Sequence, residues 1–409
     1  MKKIIISYGN DFFMNKTALL MSKYYKVELI QNYVPGKVES IIIKIIDNLL
    51  GKKILPRLQG RGAKGENLTS HHCSMNDLYG LLCRKIIKDI DRSSMMIAKH
   101  FGKSSCHWIK NADIFHVRSG FGQGGAIEKA KAKGMTVIVD HSIAHHQEME
   151  GILKPEYDRH NIKFTLSNTA KFWELVVKDC NTADAIIVNS DYVKNTFVKS
   201  GFAPRKLHVV YLGVREDWFG RKKDYSLTNN QIRLLFVGGF NIRKGAEYVM
   251  EAAQLLRKIN VNFKIIVIGG NEELKNLFSS YNMENFDFVG MVNYNQLIDY
   301  YSTVDAYLFP SLCEGSTRAG MEAMAAGLPV ILTKNCGCPV KDGENGLLVP
   351  IKDAEAIVTA VKRLYLSQEL RETLGKNAAY TISHNYTWDS YRENIKKVYQ
   401  KYLINERKS

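Results

Sequence analysis

The feature that most constrains the fold is a pair of short apolar runs, residues 306–309 and 330–332, joined by a loop and a helix-forming run. Proline follows the first apolar run directly, and a Gly-Leu-Pro sequence precedes the second. Apolar runs of this length between such breakers predict buried strands. Residues 317–326, rich in Ala and Met, predict a helix between them. This order predicts a parallel α/β unit, because parallel strands need a crossover connection.

Two carboxylates flank the start of the predicted helix, Glu314 before it and Glu322 within it. The unpaired N–H groups and the dipole of a helix N-terminus together form an anion site that suits phosphate. A carboxylate beside phosphate would repel it, so these acids make chemical sense if they receive the hydroxyl groups of a sugar or a ribose. A capped surface helix with two solvated glutamates is the alternative that spacing alone leaves open.

The composition is that of an ordinary soluble chain. At 409 residues, we expect two or three domains, each with its own core. The hydrophobic fraction of 45% and the charged fraction of 24% are typical, and no run approaches the roughly 18 apolar residues of a transmembrane helix. Residues 1–7 are too short for a secretion signal, so we expect a cytoplasmic protein. Seven cysteines without a framework spacing predict reduced thiols.

A net charge of +16 predicts an anionic partner. The candidates are nucleic acid, an anionic membrane face and a phosphorylated substrate. Because no nucleic-acid-binding motif is present, we expect no nucleic acid partner. Residues 41–64 combine an apolar run with five of the chain's basic side chains after it, and such a segment can lie in a bilayer interface. A core helix followed by a solvated basic loop is the alternative.

The first half of the chain predicts a parallel sheet with a polar cluster at one edge. Strands are predicted at residues 3–8, 27–29, 114–117, 135–140 and 182–190, with a helical region over 65–110. His145 and His146 follow the strand at 135–140. Residues beyond the carboxyl ends of parallel strands lie in the crevice where open α/β sheets bind ligands. A solvated histidine cluster is the alternative.

The second half opens with another strand, Gly-rich turn and helix. The strand at 233–237 is followed by Gly238 and Gly239, and the pair Arg243 and Lys244 precedes the helix. Glycines let a backbone approach a ligand closely, and cations stabilise a pyrophosphate that gains charge as its bond breaks. The alternative is a solvated basic pair at a helix start.

These blocks resemble the retaining glycosyltransferases of family 4. The resemblance rests on the Glu314 and Glu322 pair together with the sequences FPS at 309–311, EAMA at 322–325, GLPV at 327–330, ADAIIVNS at 183–190 and DGENGLLV at 342–349. It implies the α/β fold called GT-B, two Rossmann-like parallel-sheet domains that face each other across a cleft. The implied division is an acceptor-side domain over 1–215, a nucleotide-sugar-binding domain over 216–385, and a terminal helix over 386–409 that packs back on the first domain.

The resemblance also implies roles for individual residues. Glu314 would contact the donor sugar, Glu322 the ribose, and Arg243 and Lys244 the leaving diphosphate. His145, with His146 as its neighbouring alternative, would lie near the anomeric carbon. The other donor-binding positions would be Gly238, Gly239, Gly290, Met291, Val292, Gly315, Ser316, Thr317 and Arg318, where main-chain groups hold the diphosphate or the base.

The function that the resemblance implies is sugar transfer from a UDP- or GDP-sugar to a hydroxyl group of a glycan or lipid-linked acceptor, with no metal and no other cofactor. No D-x-D metal clamp is identified. The protein would be cytoplasmic, with peripheral contact at the inner face of the cell membrane. A GT-B epimerase acting on a UDP-sugar and a catalytically silent sugar-nucleotide-binding subunit are the alternatives.

Overall fold

The structure is a computed structural model that describes the chain except residues 10–11, 35–39, 42–43, 46–47, 49–62, 64, 166–169, 271–276, 278–279 and 406–409. Most of the predicted membrane segment, residues 41–64, therefore lies outside the described residues. Among the helices that are described, none is long and apolar enough to cross a membrane.

The first lobe is built on a seven-stranded parallel sheet with the spatial order β3-β2-β1-β4-β5-β6-β7. The central strands are buried on both faces, as Ile4, Ile5 and Ile6 show with no exposed surface, because helices cover both sides of the sheet. The strands are β1 (Lys3–Ser7), β2 (Lys26–Gln31), β3 (Leu68–His72), β4 (Ile114–Arg118), β5 (Thr136–His141), β6 (Ala185–Val188) and β7 (Leu207–Val209). The helices are α1 (Phe12–Met21), α2 (Ser74–Ile86), α3 (Ile90–Ser105), α4 (Ala126–Ala132), α5 (His146–Arg159), α6 (Lys171–Thr182) and α7 (Asp191–Lys199).

The second lobe is built on a six-stranded parallel sheet with the order β10-β9-β8-β11-β12-β13. Its strands are β8 (Ile232–Val237), β9 (Phe263–Ile268), β10 (Phe286–Gly290), β11 (Ala306–Phe309), β12 (Val330–Leu332) and β13 (Leu347–Leu348). Its helices are α8 (Ala246–Lys258), α9 (Tyr294–Thr303), α10 (Arg318–Ala326), α11 (Ala354–Leu366) and α12 (Gln368–Asn385). The first sheet ends at Val209 and the second begins at Ile232, so the proposed boundary at 215/216 lies between the sheets and stays a prediction.

One sequence-based expectation is wrong at the edge of the first sheet. The sequence predicts a helical region over 65–110, but Leu68–His72 forms β3, which pairs in parallel with β2 from Leu68 opposite Val27 to His72 opposite Gln31. This short polar segment lacks the alternation that indicates a strand, and it is extended because β2 supplies its hydrogen bonds. The ring of His71 stacks on Trp108 with 4.5 Å between centroids.

The last helix, α13 (Trp388–Asn405), returns to the first lobe. Three tyrosine hydroxyls on it form hydrogen bonds with first-lobe side chains: Tyr391 with Thr17 at 2.5 Å, Tyr399 with His116 Nδ1 at 2.7 Å, and Tyr402 with His208 Nε2 at 3.1 Å. Tyr399 has no exposed surface. The helix therefore belongs to the core of the first lobe although it follows the whole second lobe in sequence.

We predict that Tyr399→Phe destabilises the first lobe by about 1–3 kcal/mol, because it leaves the buried Nδ1 atom of His116 without its hydrogen bond. The matched control, Tyr380→Phe, removes a hydroxyl from a ring that is 63% exposed and should change the unfolding free energy by less than about 0.5 kcal/mol. Chemical denaturation followed by tyrosine and tryptophan fluorescence measures both. Equal stability of the two variants would contradict the prediction.

Candidate active site

The loop after β11 lies between the two lobes. The N–H of Ala144 donates to the main-chain oxygen of Glu314 at 3.2 Å, and the hydroxyl of Ser190 donates to the main-chain oxygen of Gly315. A Cβ atom at Gly315 would lie 1.9 Å from the carbonyl oxygen of Ser142, so only glycine allows this approach. Ala144 and Ser190 follow the carboxyl ends of β5 and β6. The loop thus joins the functional edges of both sheets.

A glutamate in this loop organises the local charge. Oε1 of Glu314 accepts hydrogen bonds from Nη1 of Arg243 at 2.8 Å, from the hydroxyl of Ser311 at 2.9 Å, and from Nζ of Lys244. Burial lowers the pKa of Lys244, and Arg243 lowers it further, while Glu314 opposes both effects. The three charged side chains carry a net charge of about +1 when ionised. The structure therefore brings together three of the residues that the sequence singled out.

Local backbone geometry holds the two cations in place. Arg243 and Lys244 lie in a single 3₁₀ turn, Ile242–Lys244, whose N-cap Asn241 accepts from the N–H of Lys244 at 3.1 Å. Gly245 closes the turn with φ +74° and is the N-cap of α8. The main-chain oxygen of Arg243 accepts from the N–H of Leu312 at 2.9 Å, which ties the turn to the glutamate loop. The cations are thus preorganised by the fold.

The N-terminus of α10 presents main-chain donors beside this cluster. The N–H of Thr317 donates a hydrogen bond to the main-chain oxygen of Cys336 at 2.9 Å. Within the described part of the chain, the N–H groups of Gly315 and Ser316 form no hydrogen bond. Arg318 begins the helix, and its guanidinium lies 3.7 Å from Oε1 of Glu322. Two open donors at a helix start, with cations close by, provide an anion site.

Glu322 lies on α10, and its side chain is only 15% exposed. Burial is the main cause that raises the pKa of Glu322 to about 7, and Asp217 raises it further, whereas Arg318 and Arg215 lower it. A carboxyl that titrates near neutral pH can accept or donate a hydrogen bond to a hydroxyl. The sequence prediction that Glu322 holds a ribose stays a prediction.

The predicted catalytic histidine is buried within the first lobe. His145 is 3% exposed and caps α5, and its Nδ1 atom lies 2.9 Å from the hydroxyl of Ser200. Its pKa is lowered to about 4, mainly by burial and to a smaller extent by the neighbouring His146. Its ring contacts are with Phe197, Phe202 and His146, all in the first lobe. Among the described contacts, none joins the His145 ring to the Glu314 cluster.

The structure indicates another histidine that the sequence analysis did not select. His141 is the last residue of β5 and is 2% exposed, and its Nδ1 atom lies 2.8 Å from the hydroxyl of Ser119. Within the described residues, its buried Nε2 atom has no hydrogen-bond partner. Burial lowers the pKa of His141 well below its ordinary value, so the ring is neutral at pH 7. Its position at the strand end was the sequence signal that could have identified it.

The predicted base-recognition residues lie at the carboxyl edge of the second sheet. The N–H of Gly238 donates to the main-chain oxygen of Ile268 at 2.8 Å, and the N–H of Gly269 donates to the main-chain oxygen of Gly290 at 2.9 Å. A Cβ atom at Gly269 would lie 2.2 Å from the oxygen of Gly238, so these turns pack backbone against backbone. Met291 is 86% exposed and adds apolar surface at this edge. Gly239 and Val292 flank the same turns.

A second contact joins the lobes through charged side chains. Glu156 of α5 accepts from the hydroxyl of Tyr248 at 2.6 Å and from Nζ of Lys352 at 2.8 Å, both in the second lobe. Arg159 donates to Glu156 at 2.6 Å and to Glu247 at 2.7 Å. Burial alone would raise the pKa of Glu156, but these hydrogen bonds outweigh it and lower the pKa. The contact holds the lobes together.

No group of three or more His, Cys, Asp or Glu side chains able to hold a metal ion occurs in the described part of the chain. One D-x-D sequence does occur, Asp89 to Asp91, which the sequence analysis overlooked. Asp89 accepts from the N–H groups of Asp91 and Arg92 as the N-cap of α3. Asp91 accepts from the N–H groups of Lys171 and Phe172. Backbone donors therefore engage both carboxylates.

Two family models match consecutive parts of the chain. Residues 90–218 match the model described as Glycosyltransferase Family 4, and residues 221–381 match Glycosyl transferases group 1. The chain belongs to glycosyltransferase family 4. Its second match covers the Glu314, Arg243 and Lys244 cluster, and its first covers the strands whose carboxyl ends contact that cluster.

Relatives of this family 4 chain include bacterial and archaeal proteins. An uncharacterised glycosyltransferase of Methanocaldococcus jannaschii is 27% identical over 70% of this chain and 75% of its own length. The capsular polysaccharide biosynthesis glycosyltransferase CapM of Staphylococcus aureus is 26% identical over 44% of this chain and 49% of its own length. For several other curated relatives, the match spans about half of the relative's length.

Solved structures confirm the predicted GT-B fold. Sucrose-phosphate synthase from Thermosynechococcus elongatus superposes with a TM-score of 0.68 at 15% identity, over 99% of this chain and all of that one. The lipopolysaccharide outer core galactosyltransferase WaaB gives a TM-score of 0.64 at 16% identity, over 98% of this chain and all of that one. Anabaena HepE, solved in complex with UDP-glucose, gives a TM-score of 0.61 at 14% identity, over 98% of this chain and all of that one.

We predict that Gly245→Ala destabilises the second lobe more than Gly343→Ala does. Both glycines have φ +74°, but a Cβ atom at Gly245 would lie 2.2 Å from the oxygen of Pro310, whereas nothing lies within 4 Å at Gly343. Gly343→Ala should cost about 1–2 kcal/mol of backbone strain, and Gly245→Ala roughly 1–3 kcal/mol more because of the clash. Thermal unfolding of both variants measures the difference, and equal transition temperatures would refute the expected clash.

A second prediction concerns the pH dependence of stability. The pKa of Glu322 is raised in the folded state, so its contribution to stability is complete below the ordinary carboxyl pKa and is lost as the pH rises through about 7. Glu322→Gln should therefore match the wild type at about pH 4 and exceed its unfolding free energy by on the order of 3 kcal/mol at pH 8. Denaturant titrations across this range measure the change. The control is Glu344→Gln, whose side chain is 69% exposed, and it should follow the wild type.

Proposed function

We propose that this chain transfers a sugar from a nucleoside diphosphate sugar to a hydroxyl acceptor, with retention of the anomeric configuration and without a metal. The observation that supports the proposal most is the Glu314 cluster, in which Arg243 and Lys244 meet a carboxylate beside the open donors of α10. This arrangement lies where the functional edges of the two lobes contact each other. A glycosyltransferase needs an anion site for the leaving diphosphate and acids for hydroxyl groups at this place.

The charges suit a donor that arrives with two negative charges. The donor diphosphate would accept from the main-chain donors of Gly315 and Ser316 and would attract Arg243 and Lys244. The two cations would then stabilise the charge that develops on the leaving diphosphate as the bond breaks. Glu314 would keep one oxygen toward the cations and use the other for a hydroxyl of the donor sugar. Because the turn already fixes both cations, little reorganisation accompanies the step.

The proposed reaction balances without a further co-reactant. The bond between the anomeric carbon and the β-phosphate oxygen breaks, and the acceptor oxygen forms a bond to that carbon on the same face. The acceptor's hydroxyl proton passes to the leaving phosphate oxygen. His141 and His145 are both neutral at pH 7 because burial lowers their pKa values, so neither adds a positive charge to the first-lobe side of the site.

The relatives support a choice of substrate class. One solved neighbour, Anabaena HepE, is known in complexes with UDP, with UDP-glucose, and with UDP and glucose, which favours a UDP-sugar donor, although a GDP-sugar would use the same main-chain contacts. Relatives named for capsular polysaccharide and amylovoran biosynthesis favour a glycan or lipid-linked acceptor in cell-envelope glycan synthesis. We propose that the protein acts at the cytoplasmic face of the membrane that carries such an acceptor.

Two rival functions give different products. A UDP-sugar epimerase would convert the sugar nucleotide with no acceptor, and a silent subunit would bind it without turnover. The purified chain is incubated with UDP- and GDP-sugars, with and without a membrane extract, and products are separated by mass spectrometry and chromatography. Sugar transfer that needs the extract supports the proposal. Interconversion without the extract, or binding without any product, would overturn it.

We predict that Lys244→Ala lowers kcat by about 10²–10³-fold, because it removes a cation from the developing charge on the diphosphate. Glu314→Ala should lower turnover by more than about tenfold, which corresponds to roughly 1.4 kcal/mol of barrier. The control is Lys258→Ala, which changes an exposed lysine at the end of α8 and should keep wild-type turnover. Steady-state release of the nucleoside diphosphate measures all three. Wild-type kcat in Lys244→Ala would remove this lysine from the mechanism.

Retention and metal independence have their own measurement. NMR of the product from an α-linked donor should show an α-linkage, and turnover should persist after treatment with a chelator. A β-linked product would exclude retention, and loss of turnover that added Mg²⁺ or Mn²⁺ restores would exclude metal independence.

A further inference from the structure

A buried carboxylate of the first lobe takes no part in the site described above. Asp179 lies on α6 and has no exposed surface. Its Oδ2 atom accepts hydrogen bonds from the N–H of Gly120 at 2.7 Å and from the N–H of Gly122 at 2.9 Å. Its Oδ1 atom accepts from the side-chain amide of Gln123. All three donors belong to the turn that follows β4, residues 119–124, so one carboxylate holds this turn at three points.

The cost of burying this carboxylate indicates what the side chain does. Burial is the main cause that raises the pKa of Asp179 to about 7, and the three hydrogen bonds from the turn oppose that effect. An apolar side chain would fill the same space without a desolvation cost. The carboxylate is therefore explained by its hydrogen bonds to the turn and not by packing.

The 119–124 turn depends on such acceptors because it is rich in glycine. Every second residue from 120 to 124 is glycine, and glycine loses more conformational freedom on folding than any other residue. Gly120 and Gly124 have φ +88° and +98°. A Cβ atom at Gly102 of α3 would lie 1.7 Å from the main-chain oxygen of Gln123, so the turn and the helix are in direct backbone contact. Asp179 supplies the acceptors that keep the turn in this conformation.

The turn contacts residues at the ends of two further strands. The hydroxyl of Ser119 lies 2.8 Å from Nδ1 of His141, the last residue of β5, and the N–H of Ser119 donates to the main-chain oxygen of Asp140 at 2.9 Å. On its other side, the ring of Phe121 packs on Gly9 after β1, where a Cβ atom would lie 2.1 Å from Cε1 of the ring. Strands β1, β4 and β5 are neighbours in the parallel sheet, so the turn joins three strand ends at its functional edge.

Helix α6 also contacts the ring that Ser119 holds. The ring of Trp173, on the same helix as Asp179, has its centroid 5.6 Å from that of His141. The Nδ1 atom of His141 has Ser119 as its partner, whereas the Nε2 atom has none among the described residues. Because the hydrogen bond of one ring nitrogen sets the tautomer and the orientation of an imidazole, Ser119 controls both for His141. The turn therefore links the position of Asp179 to that of the His141 ring.

We propose that Asp179 is a positioning residue: by holding the 119–124 turn, it fixes Ser119, the His141 ring and Phe121, and with them the first-lobe wall of the cleft against which the acceptor lies. The proposal rests on the proposed function for its effect on turnover, but the contacts that it names exist without substrate. Displacing a positioning group by about 1 Å can lower turnover by about 10²-fold. Loss of the carboxylate should therefore impair use of the acceptor and leave the donor site of the second lobe intact.

The first test needs no substrate. Asp179→Leu removes the three acceptor contacts, whereas Asp179→Asn combined with Gln123→Glu exchanges the two side-chain groups and keeps all three hydrogen bonds. Hydrogen exchange followed by mass spectrometry should show that the amides of the turn exchange about tenfold or more faster in Asp179→Leu, and at the wild-type rate in the exchanged pair. The ring signals of His141 in NMR spectra, assigned with His141→Gln, should shift in Asp179→Leu only. Wild-type protection of the turn in Asp179→Leu would overturn the proposal.

Ser119→Ala gives an independent measurement, should Asp179→Leu fail to fold. This variant removes only the contact between the turn and His141. The turn should therefore keep its protection from hydrogen exchange, while the NMR signals of the His141 ring shift. Unchanged His141 signals in Ser119→Ala would contradict the proposed link between the turn and the ring.

Turnover is the second test, with donor binding as its internal control. Asp179→Leu and Ser119→Ala should each lower the rate of sugar transfer at limiting membrane extract by about tenfold or more, and the exchanged pair should recover it. The dissociation constant of UDP, measured by calorimetry, should be unchanged in all of these variants. The matched control is Asp113→Leu, which removes a carboxylate that accepts from the N–H of Lys3 at 2.7 Å, at the amino edge of the same sheet, and should keep the wild-type rate.

The outcomes separate this proposal from the proposed function. An equal loss of turnover in Asp113→Leu would overturn the positioning role, because general destabilisation of the first lobe would then explain both losses. A wild type that transfers no sugar would contradict the proposed function instead, and the exchange and NMR measurements would still decide whether Asp179 holds the turn and the His141 ring.

Discussion

The contact on which the site depends is the one between Glu314 and the two cations of the neighbouring turn. Two partly buried positive groups so close together would repel each other without a shared carboxylate, and burial already disfavours the charge on Lys244. Glu314 offsets that cost and keeps both cations within reach of the helix start. The same carboxylate thus stabilises the site without ligand, and under the proposed function its other oxygen would accept a hydrogen bond from a sugar hydroxyl.

Backbone packing makes this charge arrangement possible. A Cβ atom would clash with a carbonyl oxygen at Gly315 and at Gly245, so side chains are excluded where the loop meets the first lobe and where the basic turn meets β11. Side-chain contacts then hold the lobes on the other side of the site, where Glu156 joins Tyr248 and Lys352. Close backbone contact fixes the geometry of the site, and the charged contacts around Glu156 hold the two lobes together.

The fold could be predicted from the sequence because its signals are local, and the roles assigned to the donor-site residues stay a prediction. Apolar runs ended by proline and glycine indicated the strands of both sheets, and one short block of residues contained Glu314 and Glu322. The edge strand β3 was missed because its polar residues are extended only by pairing with β2. The choice between His145 and His146 could not be made from sequence, since they are adjacent near one strand end. Only packing shows that, among the described residues, Nδ1 of His146 and Nε2 of His141 have no hydrogen-bond partner.

The sequence by itself determined the family and the two-lobed parallel-sheet architecture, because periodicity, breakers and motif spacing are properties of neighbouring residues. Only the tertiary structure decided which groups face each other. It placed the cations of the basic turn on Glu314, buried His145 within the first lobe, and set Asp179 against the 119–124 turn. Burial and side-chain contacts depend on residues far apart in the chain. They determine which pKa values shift and which hydrogen-bond donors stay open.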